Sequence, residues 1–253
     1  MDLLKEYINQ NTWRDWERYL EKLPLNKNQI VYDLGCSIGA VSNLLAKKAK
    51  EVVGFDNNEF LLGEADKRKE NNCKFVLDNI FTLEPTKLEK CDGIWVSFAL
   101  AYMEDPKLFI SNWTKCLNYN GWFAIVDIDG LFSGHLPENN KHFSKIEAFE
   151  NESEKSKIYD FKIGGKIKKL MEESGLDIII SEDNWYDVEL NFRGAANKDI
   201  VKNWSARLER MVKLKDYFGV NYNEFCKDFL NLISDEEHVS NGCVKLYVGI
   251  KKY

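Results

Sequence analysis

Between residues 29 and 128 the chain alternates short apolar runs with amphipathic stretches of roughly ten to fifteen residues. Only a mainly parallel sheet joined by crossover helices accommodates that rhythm. QIVYDL, EVVGFD, CKFVLD, CDGIWVSF and GWFAIVDI read as strands (29–34, 51–56, 73–78, 91–98 and 121–128). GAVSNLLAKKAK, NEFLLGEADKRKE and residues 105–117 read as the helices between them. Strands this short and this apolar are covered on both faces.

The flanks are organised differently. Residues 1–24 carry apolar positions at helical spacing and end at Pro24, with Thr12 as the expected cap of a second short helix. Residues 129–160 read as a loop and an irregular polar helix. KIGGKIKKLMEESG is a helix closed by Gly175, LDIIISEDNWYD a sixth strand, and CVKLYVGIKK the last. About fifty residues separate those two strands and read as helices near 197–217 and 222–234. That connection is too long for an ordinary loop, and long insertions commonly cover a site. One domain over 1–253 is expected, made of N-terminal helices (1–24), a first half (25–128), a loop, helix and strand (129–187), a helical insert (188–241) and a closing strand (242–253).

Composition removes several function classes. The 253 residues carry 35 Lys+Arg against 41 Asp+Glu, a net charge of −6, and the pI is near 5.3. An acidic chain weighs against a general nucleic-acid binder, which needs a basic surface to displace counterions. No apolar run approaches the roughly 18 to 20 residues of a membrane span, and MDLLKEYINQ lacks the shape of a signal peptide. The six cysteines are scattered, with no C-x-x-C pair, and the three histidines stand at no metal-ligand spacing. No metal is therefore expected. Buried thiols of a reducing compartment, and so a cytoplasmic location, are expected.

Ligands of an open α/β sheet bind at the carboxyl ends of its strands. The first strand ends in Asp33-Leu34-Gly35-Cys36-Ser37-Ile38-Gly39. Glycines at 35 and 39 allow a sharp turn and a close ligand approach. The second strand ends at Asp56, about twenty residues beyond Gly35, where an acid accepts from ribose hydroxyls; Asn57 follows it. The third ends in Asp78-Asn79-Ile80, within reach of an adenine. The fourth runs into Ser97, Phe98 and Tyr102. The G-x-G-x-x-G of dinucleotide enzymes is absent, and Asp33 beside the turn would repel a pyrophosphate while suiting an ammonium group. That disfavours a nucleotide-dependent oxidoreductase.

These four motifs, in order over residues 30–128, resemble class I S-adenosylmethionine-dependent methyltransferases of the small-molecule branch. VYDLGCSIG is similar to their motif I, with Ser37 in place of the middle glycine; VVGFDNN, FVLDNI and CDGIWVSFALAYMED are similar to the three that follow. The insert loosely resembles the substrate covers of trans-aconitate-type methyltransferases. The resemblance implies a doubly wound, seven-stranded, mainly parallel α/β sheet of Rossmann-like form with helical cap insertions. It implies S-adenosyl-L-methionine as cofactor, held by Asp33, Gly35, Cys36, Ser37, Gly39, Asp56, Asn57, Asp78, Asn79, Ile80, Ser97, Phe98 and Tyr102. The expected reaction is methyl transfer to an oxygen or nitrogen of a small molecule. The alternative from another class is a cofactor-binding, catalytically silent regulatory or assembly protein.

For the acceptor, His135 is the candidate base, because its ordinary pKa lies near neutrality; a surface loop histidine is the plainer alternative. Trp13, Tyr102, Arg193, Trp204 and Arg207 are the candidate acceptor contacts, the arginines for a carboxylate. The insert's apolar faces must bury either over the site or in a dimer, so a monomer or a homodimer is expected.

Overall fold

A computed structural model describes residues 3–252. Seven strands form one sheet: β1 (Ile30–Leu34), β2 (Glu51–Asp56), β3 (Cys73–Leu77), β4 (Cys91–Ser97), β5 (Leu117–Asp129), β6 (Leu176–Trp185) and β7 (Cys243–Lys251), in the order β3-β2-β1-β4-β5-β7-β6. All neighbours are parallel except β7, which runs antiparallel to both β5 and β6. The order reverses between β1 and β4, and a doubly wound sheet opens its ligand crevice there. The expected Rossmann-like α/β fold is present.

Period-two alternation divides the core in two. Val31, Trp95, Trp122, Ala124, Val126 and Leu246 face one layer. Tyr32, Ile94, Val96, Phe123, Ile125 and Tyr247 face the other. Successive side chains of a strand point to opposite faces, so near-continuous apolar runs fill both layers. Helices α3 (Ala40–Ala46), α4 (Glu59–Asp66), α5 (Pro106–Thr114) and α7 (Ile167–Glu173) are the crossover helices and the helix before β6.

The additions to this frame differ from the sequence reading in three places. Helix α1 (Leu3–Trp13) precedes α2 (Trp16–Leu20), which is capped by Asp15 and not by Thr12, whose hydroxyl instead donates to the Asn9 carbonyl. Residues Phe143–Lys155 form a regular helix, α6, where an irregular one was expected. The insert's first expected helix breaks at Met211 into α8 (Lys198–Arg210) and α9 (Val212–Phe218), ahead of α10 (Tyr222–Ile233). The break places Met211–Leu214 in the lining of a cavity at the strand ends. The insert's apolar positions Ile200, Trp204, Leu208, Phe225, Phe229 and Ile233 are buried within this one chain, so their burial needs no second copy. Among the described residues no helix is long and apolar enough to cross a membrane.

Candidate active site

The turn after β1 is shaped by three departures from ordinary backbone at alternate residues. Gly35, Ser37 and Gly39 have φ of 81°, 50° and 70°. A side chain on Gly35 would start 3.2 Å from the Ala99 Cβ, so the β1 and β4 ends approach closely here. The turn is tied to the end of β2: the Gly35 and Cys36 N–H groups donate to the Phe55 carbonyl at 2.8 and 3.0 Å. The Ser37 N–H donates to Asp56 Oδ2 at 2.8 Å and the Asn58 N–H to Asp56 Oδ1 at 2.9 Å. Each Asp56 oxygen thus holds one backbone donor and keeps a lone pair for a ligand hydroxyl.

Asp33 is buried beneath the turn and accepts from the Ser42 hydroxyl at 2.5 Å. Burial pushes its carboxyl up to about 7, against the lowering effect of that hydrogen bond. Burial also raises the Cys36 thiol well above its ordinary value, so it is no nucleophile at neutral pH. At the end of β4, Phe98 holds φ of 51°, a conformation a bulky residue rarely adopts. Its N–H is anchored on the Val126 carbonyl at 2.8 Å, and its ring lies under the Arg14 guanidinium at 4.6 Å.

All of this opens into a cavity of about 770 Å³. At one end its walls are Asp33, Gly35, Cys36, Ser37, Asp56, Asn57, Leu61, Ile80 and Phe81. At the other they are Tyr7, Gln10 and Arg14 at the N-terminus, Tyr102, Phe149, Tyr159 and Phe161, and Arg207, Arg210 and Met211–Leu214 of the insert. A buried ionic network fixes that second end. Glu189, fully buried, accepts from Arg14 Nη2 at 3.0 Å, Arg207 Nη2 at 2.8 Å and Asn203 Nδ2 at 2.6 Å. Arg14 also binds Asp187, at 2.5 Å. A carboxylate removed from water is tolerable only when its lone pairs are filled in this way. The network joins the N-terminal segment to the insert.

Eleven positions expected from sequence line this cavity: Asp33, Gly35, Cys36, Ser37, Asp56, Asn57, Ile80, Ser97, Phe98, Tyr102 and Arg207. Seven others lie outside its lining, each for a visible reason. A Cβ on Gly39 would point at the Phe75 ring, 2.4 Å away, so that glycine serves helix–strand packing. Asp78 and Asn79 spend side-chain oxygens on the N–H groups of Asn79 and Phe81, and the apolar Ile80 and Phe81 reach the cavity instead. Trp13 sits at the end of α1, whose cavity face is Tyr7 and Gln10. Arg193 is exposed, in a bridge to Val239. Trp204 is fully buried and donates to the Glu189 carbonyl at 3.1 Å. His135 is fully buried against His238, and that burial, with His238 and Arg207, pushes its pKa down to about 3. A base needs a proton-accepting nitrogen in reach of the acceptor, and His135 has none there.

The N-terminal contributors were missed. Their only signal is the polar stripe Glu6, Gln10 and Arg14 at near-helical spacing, which reads equally well as a solvated face.

A family model described as a methyltransferase domain matches residues 25–175. The chain belongs to the methyltransferase-domain family. Among curated relatives, this methyltransferase domain is similar to trans-aconitate 2-methyltransferase of Variovorax paradoxus (strain S110), 29% identical over 141 residues, 55% of this chain and 50% of that protein. The chain therefore spans about half the length of that relative. Among solved structures, a Bacillus halodurans C-125 protein classed as a methyltransferase superimposes with a TM-score of 0.64 at 17% identity, covering 94% of this chain and 98% of that one. Coclaurine N-methyltransferase, solved with N-methylheliamine and S-adenosylhomocysteine, superimposes with a TM-score of 0.58 at 15% identity, covering 93% and 71%. The family's cofactor is S-adenosylmethionine, and this site fits it. Ser37 Oγ is buried with no partner, the Gly35 cradle is open only while it lacks a Cβ, and Asp56 faces apolar walls suited to an adenosyl group.

Proposed function

We propose that this chain transfers a methyl group from S-adenosylmethionine to an oxygen or nitrogen of a small molecule. One observation carries the reading. The strand-end cradle and the covered space beneath α1 and the α8–α9 break are a single continuous cavity. Its volume, about 770 Å³, lies within the range of small-molecule sites. Asp33, Ser37 and Asp56 would hold the cofactor, whose sulfonium is an already activated methyl donor. The chain's own task is then to align the acceptor and to exclude water, and orientation supplies much of the rate. The Arg14–Glu189–Arg207 network supports this by tying the N-terminal segment to the insert beside the cavity. Calorimetry with S-adenosylhomocysteine against NAD tests the cofactor half of the reading. Formation of S-adenosylhomocysteine across a metabolite library tests the transfer half. Tight S-adenosylhomocysteine binding without turnover of any acceptor would favour a silent binding protein, and preference for NAD would reject the reading outright.

A further inference from the structure

At the acceptor end of the cavity stand three arginines, and two are paired with acids. Arg14 binds Asp187 and Glu189 through Nε and Nη2. Arg210 pairs with Glu6 at 2.5 Å. Arg207 is different. Its Nη2 donates to Glu189 Oε1 at 2.8 Å and its Cζ lies 4.4 Å from the Trp204 ring, so the guanidinium plane is held from two sides. Its Nη1 is buried and has no acceptor. Glu189 does not serve it: Oε1, which already takes Arg207 Nη2, also takes Asn203 at 2.6 Å and Gln10 at 3.4 Å, and Oε2 takes Arg14. A rigidly held, buried charged donor without a partner is expensive to keep, and an acceptor supplied by a ligand relieves it.

The surroundings define that ligand further. The positive field of Arg207 reaches the hydroxyls of Tyr7, Tyr102 and Tyr159, which line the same cavity. Tyr102 and Tyr159 meet edge to face at 4.7 Å, and Tyr159 meets Phe161 at 4.6 Å, giving an aromatic wall beside the charge. Arg14 and Arg210 are matched by Asp187, Glu189 and Glu6, which leaves the Arg207 Nη1 as a donor at this end without an acceptor. That donor suits one oxygen of a carboxylate.

We propose that the methyl acceptor is a carboxylic acid with a flat apolar body, its carboxylate seated on Arg207 and its body against Tyr102, Tyr159 and Phe161. This rests on the methyl-transfer reading above. The test uses the full chain saturated with S-adenosylhomocysteine and three probe pairs: benzoate, phenylacetate and cinnamate, each against its primary amide, with phenyl phosphate as a dianion. At least one acid should bind about tenfold or more tightly than its amide, as a charge-assisted hydrogen bond implies, and better than phenyl phosphate. Arg207→Gln should erase that preference while S-adenosylhomocysteine affinity changes less than about twofold. Arg207→Lys, which keeps the charge and a donor toward Glu189, should retain part of it, and Arg193→Gln all of it. Failure of every acid to bind, equal binding of acids and amides, or an acid preference that survives Arg207→Gln overturns the proposal. Loss of S-adenosylhomocysteine binding in the unsubstituted chain would instead overturn the methyl-transfer reading beneath it.

Discussion

His135 and His238 meet edge to edge, with Nδ1 and Nε2 3.0 Å apart, centroids 5.2 Å apart and planes 20° from parallel. The contact clamps the turn after β5 to the chain just before β7, and Phe192, Trp204 and Phe229 close around it. One ring nitrogen must donate and the other accept, so the pair is built for neutral imidazoles.

That geometry gives a pH dependence of definite sign. An unfolded histidine titrates near 6.5, whereas burial holds His135 neutral down to about 3, and burial lowers His238 as well. Between those limits the unfolded chain binds a proton that the folded chain refuses. The histidine contribution is complete above about 6.5 and declines as pH falls toward 3, by up to about 1.4 kcal/mol per unit. Asp33 and Asp127, both raised to about 7 by burial, act in the opposite direction across much of that window. The difference between parent and variant isolates the histidine. Urea unfolding of His135→Phe should show a shallower loss of stability between pH 6.5 and 4.5 than the parent; parallel losses would mean that His135 is not held neutral.

How far the sequence could lead is clearest by comparing two neighbourhoods. At the strand ends, local chemistry dictates position: a strand followed by Gly35-x-Ser37-x-Gly39 has one way to turn, and Asp56 at the next strand end must face it. Arg14 and Arg207 are 193 positions apart in the chain and meet only through Glu189. Arg207 stands out as one of two candidate arginines of the insert, but nothing local marks Arg14 or Glu189, because each reads as a solvated helix or loop charge until the packing of α1 on the insert is known. His135 misled for the same reason. Its ordinary pKa suggested a base, but burial among residues 57 to 103 positions further along the chain removes that chemistry.

Asp33 should make cofactor affinity depend on pH. Its carboxyl titrates near 7 in the folded chain, and only the ionised form attracts the ammonium of S-adenosylhomocysteine. Affinity should therefore rise by about tenfold from pH 6 to pH 8, following the ionised fraction. In Asp33→Asn the profile should be flat. Calorimetry at three pH values settles this, and an equally steep profile in the variant would move the titrating group elsewhere.

Asp56 has two tasks, and substitution should separate them. Asp56→Ala removes the acceptors of the Ser37 and Asn58 N–H groups as well as the proposed ribose contact. S-adenosylhomocysteine binding should weaken by about 1 to 3 kcal/mol, and the melting temperature should also fall. Asp56→Asn, which keeps one carbonyl acceptor, should recover more of the melting temperature than of the affinity. Unchanged affinity in both variants would place the nucleoside end of the site away from Asp56.

The glycines allow a comparison within one chain. A methyl on Gly39 starts 2.4 Å from the Phe75 ring at φ of 70°, whereas one on Gly63 meets nothing within 4 Å. Gly39→Ala should destabilise by about 2 kcal/mol or more, combining left-handed strain with a core clash. Gly63→Ala, inside α4, should stabilise by about 0.5 to 1 kcal/mol. Denaturant midpoints measure both, and a neutral Gly39→Ala would mean that the turn is not held as described.

Trp204 tests whether the insert is a working cover. Its indole N–H holds the Glu189 carbonyl, its ring carries the Arg207 guanidinium, and Phe132, His135 and Phe229 pack on it. Trp204→Ala should cost about 3 to 5 kcal/mol of stability, as large aromatic deletions from a core do. Trp204→Phe keeps most of the volume but loses the hydrogen bond, worth about 0.5 to 1.5 kcal/mol, and gives Arg207 a smaller face to lie on. The cofactor cradle is built from β1, β2 and β4 ends that Trp204 does not touch. S-adenosylhomocysteine affinity in Trp204→Phe should therefore stay within about twofold, while acceptor turnover falls by about tenfold through the displaced guanidinium. Sedimentation should show the same species as the parent, because the insert's apolar faces bury within the chain. Normal turnover in Trp204→Phe together with a changed assembly state would make the insert an interface between copies and end its role as the cover.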